Sequence, residues 1–256
     1  MARINQSAVF TLRMLEELAR RQPVGVSTLA RELGIPKSNV QRALATLEEA
    51  GWIRPDSDVG SQWVLGYKVL SIARQVGNEH CLRDLAVPQL ELLSLETGET
   101  VGMAMRDGDH WVIVEVREGS HPVRAVTQVG VRMPLEIAGT GHLILAYLPE
   151  EERNCILDHR GVAEPQRRLI RERIVTIRRD GFAYSKGEML EGVAAVVAPI
   201  FDTANRPVGT VGITVPSHRV TPVSIKSLGA RAVAVGAEIT RLATALSRTA
   251  SCATVT

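Results

Sequence analysis

The sequence is poor in cysteine. Its 256 residues include three, Cys81, Cys155 and Cys252, which lie far apart and form no CxxC pair. Disulfide frameworks use even sets of closely spaced cysteines, and an odd, scattered set is not typical of them. We therefore expect plain thiols and a protein of the reducing cytoplasm.

Long apolar runs are also missing. The longest, such as residues 193–200, fall well short of the ~20 residues that a membrane helix needs. Residues 1–7 contain no apolar core of the kind found in a signal peptide. The sequence predicts neither a membrane segment nor export.

The familiar enzyme signatures are absent as well. The sequence has no GxSxG motif and no P-loop, and its six histidines lack HxH or HExxH spacing. We expect no catalytic residues, no cofactor and no preformed metal site. An enzyme built from residues distant in sequence remains an alternative that these patterns do not address.

Positive charge is scarce for a protein that binds nucleic acid. The formal net charge is +2, and acidic and basic residues nearly balance within the first 64 positions. Net charge therefore does not indicate DNA binding. Such a function has to follow from the pattern and placement of residues.

The pattern at the N-terminus is that of three short helices followed by a hairpin. Apolar residues at helical spacing predict a first helix capped by Ser7 and a second capped by Ser27. Gly34 ends the second helix, and a third spans residues 36–50. Residues 52–53 and 62–65 are predicted strands around a polar tip. This order predicts a winged helix-turn-helix.

The third helix carries residues that can bind DNA. Its apolar side chains fall on one face, and five polar ones point away from it: Lys37, Ser38, Asn39, Gln41 and Arg42. Asn and Gln can pair with adenine, Arg with guanine, and Lys with phosphate. Arg54, beside the hairpin tip, adds a contact to phosphate or the minor groove. The alternative is an ordinary solvated helix face.

The remaining sequence mixes helices and strands. Residues 66–80 are a predicted linker helix, 81–248 a second domain, and 249–256 a disordered tail. In the second domain we expect helices over 82–96, 140–147, 150–158, 165–179 and 221–247, and strands over 100–105, 110–117, 123–127, 193–201 and 208–215. The fold class is α+β with a mostly antiparallel sheet.

Three segments resemble the IclR family of bacterial transcriptional regulators. They are LARELGIPKSNVQRALATLEEAGWI, VGVRMPLEIAGTGHLILAYL and DGFAYSKGEMLEGVAAVVAPIFD, in the order that the family has them. The resemblance implies a winged helix-turn-helix, a linker helix and a GAF-like effector-binding domain. It also implies homodimers or dimers of dimers, partly palindromic double-stranded operator DNA, and a small-molecule effector.

Some positions depart from the family pattern. Glu136 and His142 stand where the middle segment commonly has His and Lys, Ala195 where Ser or Cys is frequent, and Ser185 where an acidic residue is frequent. These differences leave the predicted fold unchanged. They leave the identity of the effector open.

The start of the helix in the middle segment is a candidate anion site. Free N–H groups and small residues at Gly139 and Thr140 favour a carboxylate, although the same features fit a plain helix cap. The resemblance adds further lining residues, for each of which simple packing is an equal alternative: Met105, Ser185, Ala195, Gly212 and Thr214. Because this lining is small, the sequence leans slightly towards an aromatic or bulky acid over a small one.

The predicted function is a ligand-responsive regulator of a catabolic operon, acting as repressor or activator. The effector is a small organic or aromatic carboxylic acid that binds the C-terminal domain. The alternative is a ligand-binding or catalytic domain whose N-terminal helix-turn-helix serves mainly in dimerisation.

Overall fold

The computed structural model describes residues 4–73, 75 and 79–253, with side chains except those of residues 79–81 and 247–253. Contacts divide the chain into two units, Met1–Gly77 and Asn78–Thr256. The elements of the first unit are, in chain order, α1 (Gln6–Arg21), β1 (Val24–Gly25), α2 (Val26–Leu33), α3 (Lys37–Glu49), β2 (Ile53–Pro55), β3 (Gln62–Leu65) and α4 (Lys68–Ala73).

The first unit is a three-helix core with a small sheet. Side chains from α1, α2 and α3, among them Met14, Leu18, Leu29 and Leu44, are buried together with Ile53 of β2. The strands pair antiparallel in the order β1-β3-β2. This arrangement confirms the predicted winged helix-turn-helix.

The ends of the first helices differ from the sequence prediction. Asn5, rather than Ser7, caps α1, because its side-chain oxygen accepts hydrogen bonds from the N–H groups of Ser7 and Ala8. Helix α2 begins at Val26 without a Ser27 cap, because Val24 and Gly25 pair with β3 and the chain enters the helix directly. Gly34 ends α2 in the left-handed conformation, as predicted.

The structure describes only part of the predicted linker helix. Helix α4 covers Lys68–Ala73, whereas residues 74 and 76–78 lie outside the described residues. The proposed domain limits at residues 65, 80 and 248 stay predictions.

The second unit consists of a six-stranded antiparallel sheet with helices on both faces. Its elements are α5 (Glu79–Thr97), β4 (Thr100–Asp107), β5 (His110–Arg117), β6 (Arg132–Pro134), α6 (Ala138–Tyr147), α7 (Glu150–His159), α8 (Glu164–Asp180), β7 (Ala183–Lys186), β8 (Val193–Phe201), β9 (Pro207–Pro216), a short 3-10 helix (Ser217–Arg219) and α9 (Pro222–Ala253). The strand order is β6-β5-β4-β9-β8-β7.

Two cores cover the two faces of this sheet. On one face α5 and α9 contribute Leu90, Leu93 and Ile239 to a cluster with strand residues such as Val211 and Ile213. On the other face α6, α7 and α8 bury a second cluster that includes Leu143, Leu157 and Ile170. The α+β class is therefore confirmed.

The prediction for this unit needs three corrections. Residues 123–127 are not a strand: the carbonyl of Ala125 accepts a hydrogen bond from the Thr100 hydroxyl instead of pairing in the sheet. The edge strands β6 and β7 were not predicted. Helix α9 continues to Ala253, past the predicted end at residue 247, because no Gly or Pro interrupts it there. Residues 254–256 of the predicted disordered tail lie outside the described residues.

Candidate functional site

The third helix of the first unit presents a polar face to solvent. Val40, Ala43, Leu44 and Leu47 are buried, and the opposite side of the helix carries the side chains predicted to bind DNA. Lys37, Ser38, Gln41 and Arg42 are exposed and Asn39 is half-buried. The first turn of α3 contains no acidic residue, which suits approach to a phosphate backbone.

Asn39 and Arg42 are coupled on this face. Nη2 of Arg42 donates a hydrogen bond to Oδ1 of Asn39 at 2.7 Å. The amide oxygen has two lone pairs, so it can accept this bond and a second one from the amino group of an adenine, while the amide nitrogen donates to the base. The contact with Arg42 therefore leaves Asn39 able to pair with adenine.

Arg54 lies on β2, at the edge of the wing. Its guanidinium lies over the ring of Tyr67, 5.6 Å from the centroid, and the Tyr67 side chain is 74% exposed. Such stacking restrains a long side chain without neutralising its charge. Tyr67 is thus a positioning residue for Arg54 that the sequence analysis missed.

A cavity lies between the sheet of the second unit and the start of α6. Its volume is about 60 Å³, and five of the seven predicted effector-binding residues line it: Thr140, Ser185, Ala195, Gly212 and Thr214. Strand register explains their convergence, because Ser185 pairs with Ala195, and Ala195 pairs with Thr214. Gly212 follows on the same face, where its lack of a side chain leaves room.

Close backbone packing fixes the start of α6 against this cavity. A Cβ on Gly139 would be 3.1 Å from Oγ of Ser185, and one on Gly141 would be 2.2 Å from the carbonyl oxygen of Leu135. Ala138 has a φ of 63°, a conformation that non-glycine residues seldom adopt. The first N–H groups of α6, including those of Gly139 and Thr140, cannot bond within the helix.

The cavity wall carries hydroxyl groups, one of which is buried without a hydrogen-bond partner among the described residues. Oγ1 of Thr127 is buried without a hydrogen bond among the described residues, and Thr127 lines the cavity. The Ser185 side chain is 6% exposed. Buried hydroxyls are normally bonded, so these groups can accept and donate to a polar ligand. Trp111 also lines the cavity, and its ring nitrogen donates to the carbonyl of Ile137 at 3.4 Å.

The structure removes Met105 from this set. Met105 packs with Val101 and Met103 in the cluster below α5 and α9, on the sheet face away from α6. It lines a separate open groove of about 1030 Å³ with Tyr147 and Phe201. Met105 therefore does not line the cavity beside α6, because alternate residues of β4 point to opposite faces; its role as an effector-binding residue stays a prediction.

A chain of polar contacts runs beside the cavity. Glu188, which lines it, accepts a hydrogen bond from Nη1 of Arg173 at 2.7 Å. The same Arg173 nitrogen is 2.9 Å from Nδ1 of His142, whose Nε2 is 3.0 Å from the carbonyl oxygen of Glu136. Arg160 pairs with the Glu136 carboxylate at 3.0 Å.

His142 is neutral in this network. Burial lowers the pKa of His142 from its ordinary value, since the charged ring would lose its hydration, and the nearby Arg173 acts in the same direction. The Nε2–H tautomer then donates to Glu136, and Nδ1 accepts from Arg173. The one ion pair that Arg173 forms in this network is therefore with Glu188.

Arg173, Glu188 and Thr127 were not predicted from the sequence. Glu188 stands within the third family segment, between Gly187 and Gly192, and that position was the one available signal. Arg173 lies in a helix with many arginines, and nothing in its sequence context distinguishes it. Thr127 belongs to a loop whose path depends on the fold.

The described part of the chain offers neither a cluster of metal ligands nor a membrane-spanning helix. No group of three or more His, Cys, Asp or Glu side chains there could hold a metal ion. None of the helices described combines the length and apolar character that a bilayer crossing requires.

The fold and the two candidate sites define a class of protein: a winged helix-turn-helix in the same chain as a domain with a small cavity, as in one-component transcriptional regulators. The model of the IclR helix-turn-helix domain matches residues 11–57, and that of the bacterial transcriptional regulator IclR C-terminal domain matches residues 75–241. The chain belongs to the IclR family of bacterial transcriptional regulators.

Similar proteins agree with this assignment over most of the chain. The transcriptional repressor IclR of Escherichia coli (strain K12) is 28% identical over 244 residues, covering 92% of this chain and 89% of its own length. The glycerol operon regulatory protein of Streptomyces coelicolor is 32% identical, covering 84% and 86%. The crystal structure of the Thermotoga maritima IclR has a TM-score of 0.71 at 25% identity, covering 93% and 98%.

These comparisons confirm the predicted class of function. The family models and the similar proteins are those of transcriptional regulators and repressors rather than enzymes. The chain is a DNA-binding transcriptional regulator.

Proposed function

We propose that this regulator responds to a small organic acid. The winged helix binds an operator through α3 and Arg54, and the acid binds in the cavity beside α6. The effector changes operator affinity by as much as it prefers one arrangement of the protein over another. Several similar proteins are named repressors. They support the proposal that the protein without effector represses transcription.

The placement of charge on α3 carries the DNA-binding part of the proposal. The helix buries one apolar face completely and offers Lys37, Ser38, Gln41 and Arg42 at the end that lacks acidic residues. Glu48 and Glu49 lie at the opposite end. The N-terminal end of a recognition helix is the one that meets base edges in helix-turn-helix proteins.

The hydroxyl groups of the cavity wall and the start of α6 carry the effector part. A carboxylate can accept hydrogen bonds from the N–H groups of Gly139 and Thr140 and from the hydroxyls of Thr140 and Ser185. Space of about 60 Å³ holds on the order of a few water molecules. This size favours a short aliphatic acid over the aromatic or bulky acid that the small lining residues suggested.

We further propose that the protein acts as a dimer, or a dimer of dimers, on partly palindromic operator DNA in the cytoplasm. Several large apolar side chains of the first unit are exposed: Ile4, Leu12, Tyr67 and Leu70. Exposed apolar side chains of this kind suit an interface between copies. The regulated operon is proposed to be catabolic, because the effector is then a metabolite of the pathway.

Electrophoretic mobility shift tests the proposal. The full-length protein is mixed with the DNA that flanks its own gene, with and without short carboxylic acids and aromatic acids. We expect a specific complex whose affinity changes with a short acid. A chain whose helix-turn-helix served only in dimerisation would bind an acid or turn it over without shifting that DNA.

A further inference from the structure

The cavity beside α6 lacks a positively charged wall. Among its lining residues in the described chain, the one charged side chain is that of Glu188. A carboxylate effector held at the start of α6 would therefore meet a like charge in the same cavity. Binding of an acid requires that this repulsion be removed.

Arg173 of α8 is the cation that neutralises Glu188. Its Nη1 contacts Glu188 at 2.7 Å and the neutral His142 at 2.9 Å. His142 belongs to α6, two residues after Thr140. The guanidinium therefore contacts both a residue that lines the cavity and the helix whose first N–H groups are free.

The Glu188–Arg173 pair can open at small cost. The two side chains are 24% and 30% exposed, and partly exposed ion pairs add little net stability because water solvates the separated charges. Glu188 lies in a short segment bounded by Gly187 and Gly192, whose φ angles are 72° and 78°. Met189 and Leu190 of this segment also line the cavity, so its movement would widen the space.

We propose that Arg173 is the cationic partner of the effector carboxylate and that Glu188 is a built-in competitor for it. An arriving carboxylate replaces the Glu188 carboxylate on the Arg173 guanidinium and retains the α6 N–H groups as its other donors. Glu188 turns to solvent, and the segment from Gly187 to Gly192 moves with it. This inference rests on the proposed effector cavity and names the residues that select for an anion there.

The exchange also determines which ligands bind. A neutral ligand cannot repay the loss of the ion pair, because it offers Arg173 no charge in place of Glu188. Selectivity for acids over their neutral analogues then depends on the charge of Arg173. Removing the competitor strengthens binding of the acid, whereas removing Arg173 abolishes that gain.

Acetate and its neutral analogue acetamide test this inference in the full-length protein. We expect Glu188→Gln to tighten acetate binding, measured by titration calorimetry or NMR, about tenfold, the effect of a modest change in interaction free energy. Acetamide binding should change little. Glu191→Gln is the matched control, since Glu191 is exposed in the same segment and should leave acetate affinity unchanged.

Double variants at Glu188 and Arg173 distinguish loss of the exchange from a folding defect. In Glu188→Gln/Arg173→Gln the gain in acetate affinity should disappear, and in Glu188→Gln/Arg173→Lys part of it should remain, with folding checked by circular dichroism. Hydrogen exchange of residues 187–192 should rise in Glu188→Gln without ligand. The inference is overturned if Glu188→Gln binds acetate no better than the wild type, or if its gain persists without Arg173.

Operator binding separates this inference from the proposed function. If acetate affinity follows the expected pattern and no acid alters the mobility shift, the exchange at Arg173 stands and the proposed response fails. If an acid alters operator affinity equally in the wild type, Glu188→Gln and Arg173→Lys, the response stands and the exchange is wrong.

Discussion

In the proposed mode of DNA binding, single side chains on α3 distinguish one operator sequence from another. Arg42 is exposed and donates a hydrogen bond to Asn39, so a substitution of either residue also changes the surroundings of the other. Lys37 lies at the start of the helix, and its ammonium group is a point charge that does not discriminate between bases. Different substitutions on one helix should therefore have different effects on specificity.

Substitution of Arg42 by Ala should relax base preference. The loss of a bidentate contact costs about 1–3 kcal/mol at the contacted base pair, whereas Lys37→Ala should weaken all sequences alike. Both are measured by binding to a mapped operator and its single-base variants. Glu48→Gln, at the far end of α3, is the control, and unchanged affinity and specificity in Arg42→Ala would refute the assigned face.

His142 should make stability depend on pH. Its pKa is lowered in the folded protein by burial, while in the unfolded chain it is near ~6.5. Below pH ~6.5 the unfolded chain binds a proton at His142 more readily than the folded protein does. The contribution of neutral His142 to the free energy of unfolding is therefore complete above pH ~6.5 and is lost as the pH falls towards the pKa of the folded protein. Glu136, Glu188 and Arg173 are the charged groups that face the ring.

Urea unfolding between neutral and mildly acidic pH measures this effect. In His142→Gln the decline of the unfolding midpoint with falling pH should be shallower than in the wild type. His159→Gln, which changes an exposed histidine, should keep the wild-type slope. Identical slopes in all three proteins would show that His142 is protonated equally in the folded and unfolded states.

At the scale of elements, the two faces of the sheet have different tasks. The face covered by α5 and α9 is filled with large apolar side chains. The face below α6 has small residues at Ala195 and Gly212, and these leave the cavity. A larger side chain on the face below α6 should therefore weaken effector binding. A substitution that conserves volume on the face below α5 and α9 should leave effector binding unchanged.

Enlarging Ala195 to Val should abolish the effector response while operator binding persists. The added methyl groups occupy part of a cavity of about 60 Å³, and overpacking costs typically about 1–3 kcal/mol. Mobility shift with and without the acid measures both properties. Met105→Leu is the control from the opposite face and should show the wild-type response to the acid. An unchanged response in Ala195→Val would show that the effector binds elsewhere.

For the whole molecule, the proposed dimer sets the geometry of the operator. One winged helix per copy contacts one half-site, and the half-sites of helix-turn-helix dimers are spaced by about one helical turn or its multiples. Insertion of about 5 base pairs between half-sites rotates one of them to the other side of the duplex and should abolish cooperative binding. Footprinting and mass photometry of the complex would reveal a single protected half-site if one copy sufficed.

Most of the first unit could be predicted because its signals are local. The alternation of apolar and polar residues in α3, the left-handed Gly34 and the polar tip between β2 and β3 each depend on a few neighbouring residues. Short edge strands lack such a signal. β6 and β7 have three and four residues, and they are strands because a longer neighbour offers them hydrogen bonds.

The sequence alone determined the family, the winged helix-turn-helix and five of the residues that surround the cavity. It could not determine the face on which Met105 lies, because both faces of β4 are covered by helices and its residues are apolar on either side. Nor could it bring together Arg173, His142 and Glu188, which lie on separate segments. Only the packing of α6 and α8 against the sheet placed these charges beside the cavity, because side chains distant in sequence meet only where tertiary contacts position their backbones.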